Sequence, residues 1–145
     1  MIRETKDLRE INNIILDDEI FQRISEEGDS KDVTIELDEY IFLTNEDNTA
    51  LMIYEELYPK TYECHVQVLK DHRNKAMDFG KEALDWLWDN TEATDIVAEI
   101  PECYPDVYNF AIKNGFKDNG VSAQMYRKKE EYIPIRKLRL VREVA

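Results

Sequence analysis

Between Tyr62 and Ile100 the chain reads strand, turn, helix, strand. From Tyr62 to Leu69 the residues alternate, with Glu63, His65, Gln67 and Leu69 on one face and Cys64, Val66 and Val68 on the other. From Arg73 to Asn90, the residues Ala76, Phe79, Gly80, Ala83, Leu84, Leu87 and Trp88 recur at helical spacing and make a wide apolar stripe. Asp95 to Ile100 is a short apolar run closed by Pro101. A strand–helix–strand unit closes as a right-handed crossover, which places its two strands side by side and parallel. This unit commits the chain to an α/β sheet.

The flanking segments fill in the rest. Ile2–Glu4 reads as a short first strand. Asp7 is placed to cap a helical region in which Leu8, Ile11, Ile14, Ile15, Ile20, Phe21 and Ile24 face one way, and Gly28-Asp29-Ser30 is expected to end it. Val33 to Thr44 alternates loosely into the turn cluster Asn45-Glu46-Asp47-Asn48, Thr49 to Leu57 returns as a strand, and Pro59-Lys60 turns again. Asp106 to Asn114 is helical, with Val107, Phe110 and Ala111 inward and Gly115 at the C-terminal cap position. Asp118-Asn119-Gly120 reads as a turn before a strand over Val121 to Arg127, and Glu131 to Val141 as an extra strand or clasp. The expected fold is α/β, a mixed central sheet with helices on both faces and a C-terminal extra strand. The 145 residues suit one domain with one core. The boundaries expected are a domain over 1–128 and a basic, apolar C-terminal extension over 129–145.

Charge narrows the partners. The net charge is −13, unevenly spread. Residues 127–145 hold seven cations (Arg127, Lys128, Lys129, Arg136, Lys137, Arg139, Arg142) and three acids (Glu130, Glu131, Glu143), a local +4, so the other 126 residues hold −17. Such a body repels nucleic acid and anionic membrane, so neither is an expected partner. It suits a basic protein partner or the chain's own tail. Tyr132, Ile133, Ile135, Leu138, Leu140 and Val141 make that tail too apolar to hang in solvent, so it should dock on its own domain or on a twin in a homodimer. No apolar run reaches membrane-spanning length and Met1-Ile2-Arg3-Glu4 is no signal peptide, which predicts a soluble cytoplasmic protein. Cys64 and Cys103 have no metal-ligand spacing and form no disulfide framework, so two free thiols and no metal are expected.

Two motifs carry a resemblance. Val68-Leu69-Lys70-Asp71-His72-Arg73-Asn74-Lys75-Ala76 resembles the end of the fourth strand and the phosphate-binding turn of the GNAT superfamily of N-acetyltransferases. Asn109-Phe110-Ala111-Ile112-Lys113-Asn114-Gly115-Phe116 resembles the end of that family's last helix. The resemblance implies acetyl-CoA as cofactor. Its pyrophosphate would meet backbone N–H groups and cations at the start of the Arg73 helix, making Val68, Leu69, Arg73, Asn74, Lys75, Ala76, Met77 and Asp78 the candidate cofactor-binding residues. It implies Glu63 as general base for the acceptor amine and a tyrosine on the last helix as general acid. The tyrosine position is occupied by Ala111, and Tyr108, about one turn earlier, is the candidate in its place. The family's glycine-rich turn is replaced by Asn74-Lys75-Ala76-Met77-Asp78. His65 reads as an ordinary polar strand residue and His72 as the aromatic that packs before Arg73. The first expected function is an acetyl-CoA-dependent N-acyltransferase for an amine or cationic acceptor. The alternative is a catalytically silent protein with a structural, virion-assembly or protein-binding role, since the chain also resembles small GNAT-like proteins encoded by tailed bacteriophages; it would then be virion-associated. A nucleic-acid mimic fits the charge, but no pattern of carboxylates resembles a phosphate ladder.

Overall fold

The computed structural model describes residues 1–26, 31 and 35–143. Its strands are β1 (Ile2–Glu4), β2 (Ile41–Asn45), β3 (Ala50–Tyr58), β4 (Thr61–Val68), β5 (Asp95–Pro101), β6 (Lys117–Lys128) and β7 (Glu131–Val141). Its helices are α1 (Leu8–Ile15), α2 (Asp18–Ile24), α3 (Ala76–Asn90) and α4 (Pro105–Lys113). The strands form one mixed sheet in the order β1-β2-β3-β4-β5-β7-β6.

The strand–helix–strand unit behaves as its sequence requires: β4 and β5 are parallel neighbours joined through α3. They pair over only Thr61↔Asp95, Tyr62↔Ile96 and Glu63↔Val97. Past that point each strand stays with its antiparallel partner, β4 with β3 out to Val68↔Ala50 and β5 with β7 out to Pro101↔Ile135. The sheet therefore opens into a V at the C-terminal ends of β4 and β5.

Helices cover both faces. Ile11 and Ile14 of α1 pack with Phe42 and Leu51, while Phe79, Ala83, Leu84 and Leu87 of α3 and Ala111 of α4 pack with Leu43, Met52, Tyr54 and Ile96 on the opposite face. The alternation of β2 and β3 residues between these two clusters is the pleat expressed as burial. Tyr54, fully buried, donates its hydroxyl to the Ala83 carbonyl at 2.8 Å, so its polar tip is satisfied.

Several sequence boundaries move. The first helical region is two helices: Asp7 accepts from the Arg9 N–H at 2.9 Å to start α1, and Asp17 accepts from the Ile20 N–H at 3.2 Å to start α2. The expected stop at Gly28-Asp29-Ser30, and the strand start at Val33, lie outside the described residues. Leu37–Glu39 is a 3₁₀ turn and β2 begins at Ile41, because Leu37 and Tyr40 both pack back onto the α1 side, a spacing of three that a turn satisfies and a strand does not. α3 begins at Ala76, preceded by a 3₁₀ helix over Lys70–Lys75. β6 starts at Lys117 and carries the expected Asp118-Asn119-Gly120 turn as a register shift within the strand. There Asp118 accepts from the Gly120 N–H at 2.8 Å and Gly120 sits at φ 104°, a backbone that favours glycine.

Residues of the expected C-terminal extension form β7, which lies between β5 and β6. Leu138 is 1% exposed. Arg136 pairs with Asp118 at 3.0 Å and Arg139 with Asp95 at 3.2 Å, so the basic strand meets acids of the body on β6 and β5.

Candidate active site

The opening of β4 and β5 creates two adjoining cavities. One, about 260 Å³, lies in the V between the strand arms and α4. The other, about 430 Å³, lies at its mouth, bounded by the end of β4, the start of α3 and α4. Beyond Glu63 the β5-facing edge of β4 has no strand partner among the described residues. Unpaired main-chain donors and acceptors on such an edge require another partner, water or an extended ligand arm. Gly80 sets the floor: a Cβ there would stand 2.5 Å from the Phe110 ring, so only glycine lets α4 bring that ring against α3.

Glu63 and His65 line the V from β4. Two residues apart on a strand, they share a face, and His65 Nε2 lies 2.8 Å from Glu63 Oε1. The His65 hydrogen bond holds the Glu63 carboxyl below the usual carboxylate range, against the opposing effect of burial. Glu55 of β3 stands directly across from Glu63, and Glu99 of β5 lines the same cavity. Burial, then Glu55, Glu39 and Glu63, push the Tyr40 hydroxyl up. This electrostatic surrounding favours a cation over an anion on the Glu63 side. On the reverse face of β4, burial pushes the Cys64 thiol up to about 12, which leaves it protonated and unreactive near neutral pH.

The expected phosphate-binding turn is built differently from a glycine-rich loop. Its 3₁₀ helix uses its own amides: His72 N–H bonds the Leu69 carbonyl at 2.8 Å and the Ala76 N–H returns to Arg73. The Leu69 N–H is taken by the Thr49 carbonyl at 2.9 Å. Arg73 donates Nε to the Val68 carbonyl at 3.2 Å and pairs through Nη2 with Glu19 of α2. Asn74, Lys75 and Asp78 are exposed, and Ala76, Met77 and Val68 line the 430 Å³ cavity beside Arg73. Lys75 occupies the cap position of α3 without a capping side-chain bond, so the first-turn amides, Met77 and Asp78 among them, are the donors that the helix leaves for a ligand. Asp78 belongs to that first turn, where an acid suits the helix dipole while competing with a bound anion.

Tyr108 is not brought to Glu63. Its hydroxyl donates to Asp118 at 2.8 Å, on the side of α4 that meets β6, where Asp118 also holds Arg136. Tyr104, at the start of α4, does line the V, with its hydroxyl 3.5 Å from that of Tyr126 and Arg23 of α2 over its ring at 4.8 Å. Arg23 itself lines both cavities and clasps Asp106 of α4 through Nη2, at 2.8 Å to each carboxylate oxygen. The pairing of His65 with Glu63 had a sequence signal in their i, i+2 spacing. Arg23 had none, because its partner lies 83 residues away.

No known family profile matches the chain, and no curated protein matches it. Solved structures do. A spermidine N-acetyltransferase from Vibrio cholerae, in complex with CoA and spermine, superposes with a TM-score of 0.76 at 15% identity, over 97% of this chain and 94% of that one. A ribosomal-protein-alanine N-acetyltransferase from Brucella melitensis gives 0.74 at 14% identity, over 97% and 99%. A Salmonella typhimurium protein solved with its cofactor acetyl-CoA gives 0.70 at 19% identity, over 100% and 95%. At these identities the likeness establishes the fold: this chain has the GNAT acetyltransferase fold in a divergent sequence.

Proposed function

We propose that this chain, a protein of GNAT fold, is an acyl-CoA-dependent N-acyltransferase whose acceptor is an amine or other cationic group. The observation that carries this reading is the V between β4 and β5, open past Glu63 and lined there by the Glu63–His65 pair. Fold neighbours that are N-acetyltransferases, one of them solved with CoA and a polyamine, support it. They do not favour a catalytically silent role.

The residues present fit a CoA thioester. The free edge of β4 suits an extended arm in the V. Lys75 and the first-turn amides of α3, Met77 and Asp78 among them, suit phosphate. When bound, the thioester supplies an acyl group activated toward attack by nitrogen. The protein's part begins with the acceptor. An ammonium is not nucleophilic, so the Glu63–His65 pair takes a proton from it, directly or through a water. The acids around Glu63, with Glu55 opposite and Glu99 nearby, concentrate cationic acceptors at the same place. On the other side, the leaving thiolate needs a proton, and Tyr104, the residue that leads into α4, brings its hydroxyl to the V. Ala111, 5% exposed, offers none, and Tyr108 is engaged by Asp118.

The test is acetyl transfer from acetyl-CoA to a panel of polyamines, amino-terminal peptides and small amines, followed by thiol release. The parent protein should turn over a cationic amine. Glu63→Gln should lower kcat/KM by about 10²- to 10⁴-fold, the scale of general-base catalysis, without changing acetyl-CoA affinity. Binding of acetyl-CoA with no transfer to any amine, or full activity in Glu63→Gln, would remove the assigned chemistry.

A further inference from the structure

We propose that Arg23 and Arg73 form a two-guanidinium clamp for the diphosphate of the acyl donor, and that Glu19 is the internal carboxylate this diphosphate must displace. This rests on the acyl-CoA reading above and extends it to a helix, α2, that no sequence motif implicated.

The argument starts from what the turn lacks. A glycine-rich loop binds phosphate with free backbone amides, but here the 3₁₀ helix over Lys70–Lys75 has turned its amides inward. Anion recognition at the mouth of the V then needs side chains beside the first-turn amides of α3, and the cations that line the 430 Å³ cavity are Lys113 of α4 and two guanidinium groups, Arg23 and Arg73. They come from different elements and are bridged by one carboxylate: Glu19 Oε1 pairs with Arg73 Nη2, and Glu19 Oε2 lies 3.8 Å from Arg23 Nη1. A carboxylate bridging two forked cations occupies the position that a doubly charged diphosphate would take with more charge and more acceptor oxygens. Both guanidiniums are oriented by contacts independent of Glu19. Arg73 Nε is held on the Val68 carbonyl, and Arg23 is held by Asp106 and stacked on Tyr104. The row Arg73–Glu19–Arg23–Asp106 is neutral as it stands, so it attracts no anion strongly until Glu19 leaves. At 21% and 32% side-chain exposure, Arg23 and Arg73 are reachable from solvent yet shielded enough for the exchange to matter.

Calorimetric titration of CoA, dephospho-CoA and pantetheine into the parent protein and the variants Arg23→Gln and Glu19→Gln tests the clamp. Arg23→Gln should weaken CoA and dephospho-CoA about tenfold and leave pantetheine unchanged. Glu19→Gln should tighten both by about threefold or more. A gain in affinity cannot come from a damaged fold, so Glu19→Gln decides the matter even if Arg23→Gln is unstable. Unchanged CoA affinity in Glu19→Gln and Arg23→Gln overturns the clamp while leaving the acyl-CoA reading intact. An Arg23→Gln defect seen with CoA but absent with dephospho-CoA reassigns the contact to the 3′-phosphate and overturns the diphosphate assignment. A parent protein that binds none of the three removes the acyl-CoA reading itself.

Discussion

Cys64 and Glu63 are neighbours in sequence and opposites in environment, because successive strand residues face opposite sides of the sheet. Glu63 looks toward His65 and other carboxylates, whereas Cys64 packs against the core with its thiol pushed up to about 12. Cys103, exposed between β5 and α4, is reachable. A thiol-specific disulfide reagent at pH 8 should therefore modify exposed Cys103 first, and Cys64, half-buried on the wall of the V with its thiol held protonated, more slowly. Two equally fast thiols would contradict the raised thiol of Cys64. The sign of the linkage is fixed by the same shift. An unfolded cysteine loses its proton near 9, the folded Cys64 near 12, so stability conferred by the neutral thiol is full below pH 9 and declines as pH climbs toward 12. Tyr54, whose phenol burial also raises, adds to the alkaline decline. The face-sharing of Glu63 and His65 was legible from alternation alone. The removal of Tyr108 from the site was not, because Asp118, which captures it, was read as a turn residue.

At the scale of elements, the sequence reads best where an element satisfies itself. The stripe of α3, the Asp7 cap and the Gly115 position, at φ 95°, are local, and all lie where the pattern put them. The departures share a different cause. The 3₁₀ helix before α3 and the bulged start of β6 are each shaped by partners distant in sequence, such as Arg73 with Glu19 or Asp118 with Arg136. Asp118 shows what such a partner contributes. It accepts from the Arg136 guanidinium, the Gly120 amide and the Tyr108 hydroxyl, and these hold its carboxyl down at about 2. One carboxylate thus ties α4, β6 and β7 together. Asp118→Asn should lower the melting temperature by a few degrees at neutral pH. A depressed carboxylate stabilises the fold above its unfolded pKa of 3.8 and loses that effect as pH falls through about 2, so the gap between parent and variant should close over that interval. A gap that stays constant down to pH 2 would show that shape rather than charge is responsible.

For the whole molecule, the decisive piece is the last strand. Apolar content and +4 charge marked residues 127–145 as a segment that must dock, and the register shows what docking amounts to. β7 pairs along its length with β5 on one side and β6 on the other, so it is internal to the sheet, and the arm of the V that carries Glu99 is held by it. The sequence could not supply that order, since nothing local distinguishes a strand added at an edge from one inserted between two others. The consequence differs in kind from the loss of an appendage. Truncation after Lys129 would remove Leu138, at 1% exposure, expose the edges of β5 and β6, and strand Asp118 and Asp95 without Arg136 and Arg139. Burial of one leucine side chain is worth about 1.5–3 kcal/mol. Together with the lost ladders and ion pairs, that rivals the roughly 5–15 kcal/mol by which a domain of this kind is stable. The truncated chain should therefore show no cooperative melting transition and should aggregate through its bare strand edges. Circular dichroism on heating and size-exclusion chromatography would read this directly. A truncated protein that still melts cooperatively, and stays in solution, would mean that the V can be held without β7.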